Sequence, residues 1–257
     1  MKFFNPKTLS VSLTGTACQL KCDHCFGHYL KAMVTPKEAL QSDANSMLIS
    51  GGFNQKGQIP LYENREILLK LVSKNKKLNV HPGFLRDEDI DLLKELNAVI
   101  SFDFTQDERV INDIYHLSVS PKDYEKQYWQ LLHNGLSVVP HVCLGLGEVD
   151  ADKKTLEKIA ELNPPKTVLL IFRPTRETPL YNKATIEIKT LEKLWQQFRE
   201  NYFGQVILGC MRPGGSYREK VDKLALELGF DGIVKPTPTI QKKFKNMQII
   251  DECCAFS

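Results

Sequence analysis

Short apolar runs alternate with longer amphipathic stretches along most of the chain. The amphipathic stretches carry apolar residues at three- and four-residue spacing, as at Leu92, Leu93 and Leu96, which is the period of a helix that buries one face. The predicted strands are residues 8–14, 47–50, 78–81, 98–104, 136–144, 167–172, 205–211 and 232–234. The predicted helices include residues 64–73, 87–96, 124–134, 153–162, 190–198 and 217–228. Strands that alternate with helices indicate βαβ units and a mainly parallel sheet.

Local signals mark the ends of several of these helices. Ser120 followed by Pro121 is typical of an N-cap with proline in the first turn, and Gly135 and Gly229 stand where a glycine often ends a helix. The pattern predicts an α/β fold, a (β/α) barrel of six to eight strands that is closed or partly open. We expect the barrel domain to span residues 1–240, followed by a short C-terminal tail, residues 241–257.

Composition places the chain among ordinary globular proteins. Of its 257 residues, 42% are hydrophobic and 25% are charged, and the formal net charge is +3. This balance predicts no binding to nucleic acid or to an anionic membrane surface. No apolar run is long enough for a membrane span, and the first residues turn polar too soon for a signal peptide. We therefore expect a cytoplasmic protein, in which clustered cysteines indicate metal binding or catalysis rather than disulfides.

Three cysteines follow the first predicted strand in the spacing C-x3-C-x2-C, at Cys18, Cys22 and Cys25. A loop after a strand of a (β/α) barrel lies at the C-terminal mouth, where such barrels place their chemistry. Three thiolates can hold three irons of a [4Fe–4S] cluster and leave the fourth iron open to a small molecule. Two alternatives remain, namely a zinc site completed by His24 or His28 and a buried structural set of cysteines.

The three-cysteine loop resembles that of the radical S-adenosylmethionine superfamily. The resemblance implies that Cys18, Cys22 and Cys25 are both cluster ligands and the catalytic centre. It also implies that the open iron binds S-adenosylmethionine, which is cleaved to methionine and a 5′-deoxyadenosyl radical. One departure is His24, because an aromatic residue often precedes the third cysteine in that family.

Later strand ends carry residues to which the resemblance assigns cofactor binding. Gly51 and Gly52 would bind the methionine amino group, although the two glycines by themselves favour a plain strand-to-loop turn. Asp103 would accept hydrogen bonds from ribose hydroxyls, with Ser101 on the same strand face; a helix cap or a solvated acid is the alternative. The remaining candidates, near the adenine, are Gly145, Gly147 and Glu148.

Four segments resemble a narrower branch of the superfamily. Residues 101–103, 135–139 and 145–148 are similar to biotin synthase, and residues 172–180 are similar to both biotin synthase and lipoyl synthase. Those enzymes form C–S bonds with sulfur from an auxiliary iron–sulfur cluster. The thiols left for such a cluster are Cys143, Cys210, Cys253 and Cys254, and the resemblance adds Arg212 as a further ligand. Buried strand-end cysteines and an incidental tail are the alternatives, and no cysteine precedes Cys18 as it does in ordinary lipoyl synthase.

The chain also resembles a component of the archaeal-type two-component lipoyl synthase. The resemblance implies sulfur insertion into a protein-bound octanoyl chain. Its implied partners are a lipoyl-carrier protein domain or a small acyl substrate, a second radical protein and a reductant such as ferredoxin. A single-cluster radical enzyme of another reaction type, such as a methylase, mutase or maturase, and a zinc-binding structural module are the rival interpretations.

Overall fold

A computed structural model describes residues 1–256 and contains one sheet of ten parallel strands. The spatial order of the strands is β10-β1-β9-β8-β7-β6-β5-β4-β3-β2. The strands are β1 (Lys2–Phe4), β2 (Leu9–Ser12), β3 (Ser46–Ser50), β4 (Lys77–Val80), β5 (Val99–Asp103), β6 (Ser137–Leu144), β7 (Lys166–Ile171), β8 (Gln205–Leu208), β9 (Gly232–Val234) and β10 (Ile249–Ile250). The sheet curls into a half-barrel whose edges, β2 and β10, are not paired with each other, which confirms the predicted partly open (β/α) barrel.

Helices cover the outer face of the sheet. They are α1 (Pro36–Gln41), α2 (Arg65–Ser73), α3 (Asp87–Glu95), α4 (Pro121–His133), α5 (Val149–Leu162), α6 (Ile188–Asn201), α7 (Gly215–Glu227) and α8 (Pro238–Lys243). Ser120 caps α4 through a reciprocal capping box with Asp123, as the Ser-Pro signal predicted. Gly135 and Gly229 both have positive φ just beyond α4 and α7, where glycine avoids the penalty of a Cβ atom. No helix within residues 1–256 combines the length and the apolar character needed to span a bilayer.

All eight predicted strands are present, but the sheet has ten. The two that the sequence pattern missed, β1 and β10, have three and two residues, which is too short for a period-2 pattern to appear. They pair in parallel with each other, and β1 also pairs with β9. Sequences this short become strands because neighbouring strands offer hydrogen-bond partners, so their existence is a tertiary effect.

The two faces of each strand belong to different packing layers. Along β6, Val138, Val142 and Leu144 pack in the main core. Val139, His141 and Cys143 alternate with them and point into the concave side of the sheet, which we call the lumen. A second apolar cluster fills the floor of the lumen and contains Phe4, Val139, Val168, Ile207, Val234, Cys254 and Ala255.

The C-terminal tail enters this floor. Backbone N–H groups of Asn5 and Lys7 donate to the carbonyls of Ile250 and Asp251 at 2.8 and 2.7 Å. The N–H of Cys253 donates to the Thr8 hydroxyl at 3.0 Å. The tail therefore lies between the two edges of the sheet, and it brings Cys253 and Cys254 inside the barrel.

Candidate functional site

The three-cysteine loop leaves the end of β2 at the mouth of the half-barrel. It is closed by tight backbone turns, in which the N–H groups of Cys25 and Phe26 donate to the Cys22 carbonyl at 3.1 and 2.8 Å. Lys21 and Phe26 adopt positive φ, so the loop bends sharply just before Cys22 and just after Cys25. The three thiols are thereby presented from one short segment.

Gly52 fixes the loop against the end of β3. A Cβ atom at this position would lie 1.8 Å from the Ala17 carbonyl oxygen and 2.6 Å from the Cys18 Cα atom. The N–H of Gly52 donates to the Thr14 hydroxyl at 2.6 Å. The backbone of the cysteine loop therefore sits where a side chain would be, and only glycine fits. Gly51 lies beside it, and the binding of a methionine amino group by either glycine stays a prediction.

The thiols of the loop have different electrostatic surroundings. The Cys18 thiol approaches the Phe53 carbonyl at 4.0 Å, and the Cys22 thiol approaches the Tyr115 carbonyl at 3.5 Å. A hydrogen bond from the Cys22 thiol, supported by His24, lowers the pKa of Cys25 to about 4. The same contact and burial raise the pKa of Cys22. One thiolate is thus available at neutral pH, and thiolates are the soft ligands that iron–sulfur clusters require.

Two histidines of the loop bear on the alternative of a zinc site. His24 and His28 each bury an Nδ1 atom that has no hydrogen-bond partner among residues 1–256. Within the part of the chain that the structure describes, no three His, Cys, Asp or Glu side chains converge around one point as ligands of a single metal ion do. A cluster binds each thiolate at a different iron atom, so the soft donor set of this loop fits such a group.

Asp103 ends β5 and forms an ion pair that the sequence did not predict. Its Oδ2 atom lies 2.9 Å from Nε2 of His81, which follows β4. Burial alone would lower the pKa of His81, but the facing carboxylate outweighs it and raises that pKa. Burial would likewise raise the pKa of Asp103, and the imidazolium outweighs it and lowers that pKa. Ribose binding by Asp103 stays a prediction. One oxygen of the Asp103 carboxylate is already paired with His81.

His141 stands beside this pair on β6, in register with Asp103. Its Nδ1 atom lies 2.9 Å from the Val139 carbonyl, so Nδ1 carries the proton that is donated there. Burial lowers the pKa of His141 to about 4, which keeps the ring neutral. His81 follows β4 and His141 lies on β6, the two strands that flank β5. The positions of these histidines near the ends of predicted strands are the signal in the sequence that groups them with Asp103.

Ser101 lies deeper in the lumen than Asp103 and joins the tail. The buried Ser101 hydroxyl donates to Oδ1 of Asn79 at 2.9 Å, and Nδ2 of Asn79 donates to the Cys253 sulfur at 3.3 Å. This chain of hydrogen bonds connects β5, β4 and the C-terminal tail. A role for Ser101 in cofactor binding stays a prediction. In this structure the Ser101 hydroxyl already donates its proton to Asn79.

The four remaining cysteines do not form one group. Cys253 and Cys254 pack at the lumen floor, and Cys210, which is exposed just after β8, interacts electrostatically with both. A hydrogen bond from the Cys254 thiol lowers the pKa of Cys253 to about 6. Cys143 instead has Tyr115, Asp103 and Asp152 as its electrostatic neighbours. The predicted four-thiol set is therefore divided into a group of three and a separate cysteine near the mouth.

Arg212 is not free to act as a cluster ligand in this structure. Its buried guanidinium donates through Nε to Asp222 Oδ1 at 2.8 Å. Its two terminal nitrogens donate to the carbonyls of Gly209 and Val234 at 2.5 and 2.9 Å. Every nitrogen is committed to the protein, because a buried charge is stable only when it is paired and hydrogen-bonded. A contribution of Arg212 to an auxiliary cluster stays a prediction, and in this structure its guanidinium ties β8 to α7 and β9.

The turn after β6 contains the three residues predicted to lie near adenine. Gly145 and Gly147 are held by neighbouring carboxylates, and Glu148 is exposed at the N-cap of α5. The N–H of Gly145 donates to Asp152 Oδ2 at 2.8 Å. Adenine binding by this turn stays a prediction.

Comparison with solved structures identifies proteins of the same fold. The chain superposes on methylornithine synthase with a TM-score of 0.64 at 13% identity, covering 92% of this chain and 73% of that one. It superposes on anSMEcpe with bound AdoMet and Cp18Cys peptide with a TM-score of 0.57 at 14% identity, covering 79% and 63%. For Streptococcus suis SuiB bound to S-adenosylmethionine the TM-score is 0.55 at 12% identity, covering 91% and 51%.

These similarities concern the fold, since the identities are low. The chain spans 73% of the length of methylornithine synthase, but 63% and 51% of the other two structures. No protein-family model and no curated protein matches the sequence. The chain therefore has the fold of proteins solved with bound S-adenosylmethionine, and this confirms the fold that the three-cysteine resemblance implies.

Proposed function

We propose that this protein is a radical S-adenosylmethionine enzyme that forms C–S bonds, as one component of a lipoyl synthase. The observation that carries the proposal is the position of Cys18, Cys22 and Cys25, on one loop at the mouth of the half-barrel. The shared fold of neighbours that contain S-adenosylmethionine supports it. When bound, a [4Fe–4S] cluster supplies the electron that cleaves S-adenosylmethionine to methionine and a deoxyadenosyl radical.

The chain's own residues would hold and orient the reactants. The three loop cysteines bind the cluster, and Gly52 keeps their loop against β3. Asp103, oriented by His81, accepts hydrogen bonds from the nucleoside, and the turn at Gly145 supports the base. These residues lie at the C-terminal ends of five different strands, β2 to β6, as active-site residues of (β/α) barrels do.

The lumen below this site has one polar wall and one apolar wall. Serines, Asn79, His81 and Asp103 line the side formed by β2 to β5, while Val168, Leu170 and Ile207 line the opposite side. An octanoyl chain would lie along the apolar wall, because burying a CH2 group contributes about 0.8 kcal/mol. The far end of the octanoyl chain would then lie near Cys210, Cys253 and Cys254.

The auxiliary sulfur source would reside at those three thiols. Three thiolates suffice to hold a [4Fe–4S] cluster whose fourth iron would have no protein ligand. This ligand set omits Cys143 and Arg212. We also propose an acyl-carrying protein domain or a small acyl substrate, a second radical protein, and a reductant such as ferredoxin as partners.

Anaerobic reconstitution tests the proposal. Wild-type protein should bind about eight irons if both clusters are [4Fe–4S], and the Cys18/Cys22/Cys25 triple alanine variant about four. The Cys253/Cys254 double alanine variant should also bind about four, and Cys143→Ala, the matched control, about eight. Reduced wild-type protein should release deoxyadenosine and methionine from S-adenosylmethionine. No cleavage, or stoichiometric zinc in place of iron, would overturn the proposal.

A single-cluster radical enzyme is the second candidate. What supports it is that the fold neighbours include methylornithine synthase and a structure with a bound peptide, whose names indicate reactions other than sulfur insertion. It predicts about four irons in wild type and no loss of iron when Cys253 and Cys254 are replaced. Iron counting on the same variants therefore separates the two candidates.

A further inference from the structure

Two buried carboxylates hold the turn that joins β6 to α5. Gly145 has a φ of +82°, and its N–H donates to Oδ2 of Asp152 at 2.8 Å. A Cβ atom on Gly147 would lie 1.9 Å from Oδ2 of Asp107. Asp107 and Asp152 are 8% and 7% exposed, so each carboxylate contacts the turn from a protected position.

The same carboxylates tie the turn to its neighbours. Oδ1 of Asp107 accepts the N–H groups of Arg109 and Val110 at 2.9 and 3.2 Å, which anchors the segment after β5. Thr155 on α5 accepts the N–H of Gln106 at 2.9 Å. The turn, α5 and the segment after β5 are thus one hydrogen-bonded unit.

This unit reaches the candidate site through a small cavity. Asp107 and Asp152 line a cavity of about 10 Å³ together with Asp103, Tyr115 and His141. That volume holds about one water molecule. Asp152 therefore lines the same small cavity as Asp103 and His141 of the candidate site.

The surroundings of Asp152 place its ionisation near neutral pH. Burial raises the pKa of Asp152 to about 7. The hydrogen bond from the Gly145 N–H acts in the opposite direction but is the smaller effect. Asp107, from the segment after β5, adds to the increase, and Lys183, from the loop after β7, opposes it. Cys143 on β6 also faces this carboxylate, which raises the pKa of that thiol.

We propose that Asp152 is a positioning residue that locks the Gly145–Gly147 turn for nucleotide binding, so that binding of S-adenosylmethionine strengthens as the carboxylate ionises. An ionised carboxylate accepts the Gly145 N–H in a charge-assisted hydrogen bond, which is about twice as strong as a neutral one. Protonation weakens that bond and loosens the turn. The inference rests on the proposed function, because the ligand is the one assigned there.

The test compares Asp152→Asn with Asp150→Asn, an exposed aspartate in the same helical turn. Anaerobically reconstituted protein is titrated with S-adenosylmethionine at pH 6, 7 and 8. Wild type and Asp150→Asn should bind roughly fivefold more tightly at pH 8 than at pH 6, as expected for gaining a charge-assisted hydrogen bond. Asp152→Asn should show no such change and should bind at pH 8 as wild type does at pH 6.

A second readout needs no ligand. Because the folded-state pKa of Asp152 lies above its unfolded value, its contribution to stability is full at low pH and is lost as pH rises through about 7. The melting temperature of wild type should therefore fall more between pH 5 and pH 8 than that of Asp152→Asn. If binding of S-adenosylmethionine by Asp152→Asn depended on pH as it does in wild type, the inference would be overturned and the proposed function would stand. A wild type that binds no S-adenosylmethionine at any pH would overturn the proposed function and the inference together.

Discussion

Gly52 shows how one residue without a side chain determines the position of the cysteine loop. The space that a Cβ atom would need is occupied by the backbone of Ala17 and Cys18. Backbone cannot rotate away as the end of a flexible side chain can, so the loop itself would have to move. At Gly52 the backbone that approaches closely belongs to the cysteine loop of the protein itself.

Replacing Gly52 with alanine should displace the cysteine loop from the end of β3. We expect a loss of about 1–3 kcal/mol in the free energy of unfolding, typical of overpacking, and weaker retention of iron after desalting. Denaturant unfolding and iron analysis measure the two effects. Gly214→Ala is the matched control, because a Cβ atom there meets nothing within 4 Å. Equal iron retention in both variants would contradict the role given to Gly52.

At the scale of elements, Arg212 and Asp222 join three parts of the barrel. Arg212 follows β8, Asp222 lies on α7, and the carbonyl of Val234 that accepts from the guanidinium belongs to β9. The second oxygen of Asp222 accepts the N–H of Thr237 at 2.7 Å, just before α8. Both charged side chains are 0% exposed, so solvent cannot replace a lost partner.

Arg212→Met should therefore destabilise the fold. Removing one partner leaves Asp222 buried without its counterion, a change that costs about 3–5 kcal/mol in a typical buried pair. The Arg212→Met/Asp222→Leu double variant should lose less than the single variant. Denaturant unfolding measures both. Iron per folded molecule should stay at the wild-type value, and a selective loss of iron with unchanged stability would restore Arg212 as a cluster ligand.

For the whole molecule, the position of the tail decides how the half-barrel is completed. The sheet edges β2 and β10 do not pair, and residues 251–255 fill the floor between them. Lys77 on β4 pairs with Glu252 at 2.6 Å, and Lys166 on β7 donates to the carbonyls of Cys254 and Ala255. The tail thus contacts strands on both sides of the lumen and covers its floor.

Removing residues 248–257 should destabilise the whole barrel. Phe4, Val168 and Ile207 would regain solvent contact at the floor, and partial exposure of two or three such side chains costs about 2–4 kcal/mol. Thermal unfolding should reveal this loss. Lys77→Gln removes only the exposed ion pair with Glu252, so that control should change stability by less than about 1 kcal/mol. If the truncated protein had the same melting temperature as wild type, the tail would not be what stabilises the barrel.

The sequence by itself determined the local features of this protein. Hydrophobic periodicity predicted eight of the ten strands and a (β/α) barrel, closed or partly open, because buried strands and amphipathic helices must repeat their apolar residues at fixed spacing. The spacing of Cys18, Cys22 and Cys25 identified the candidate site, since all three lie in one short loop.

Only the tertiary structure decided how distant segments meet. It paired Asp103 with His81, placed Asp152 under the Gly145 turn, and buried Arg212 against Asp222. It also separated Cys143 from the three thiols at the lumen floor. Each of these contacts joins residues on different elements or across a turn, and their distances depend on strand order and on the curl of the sheet. A one-dimensional pattern does not encode those two quantities residue by residue, because they arise from the packing of the whole chain.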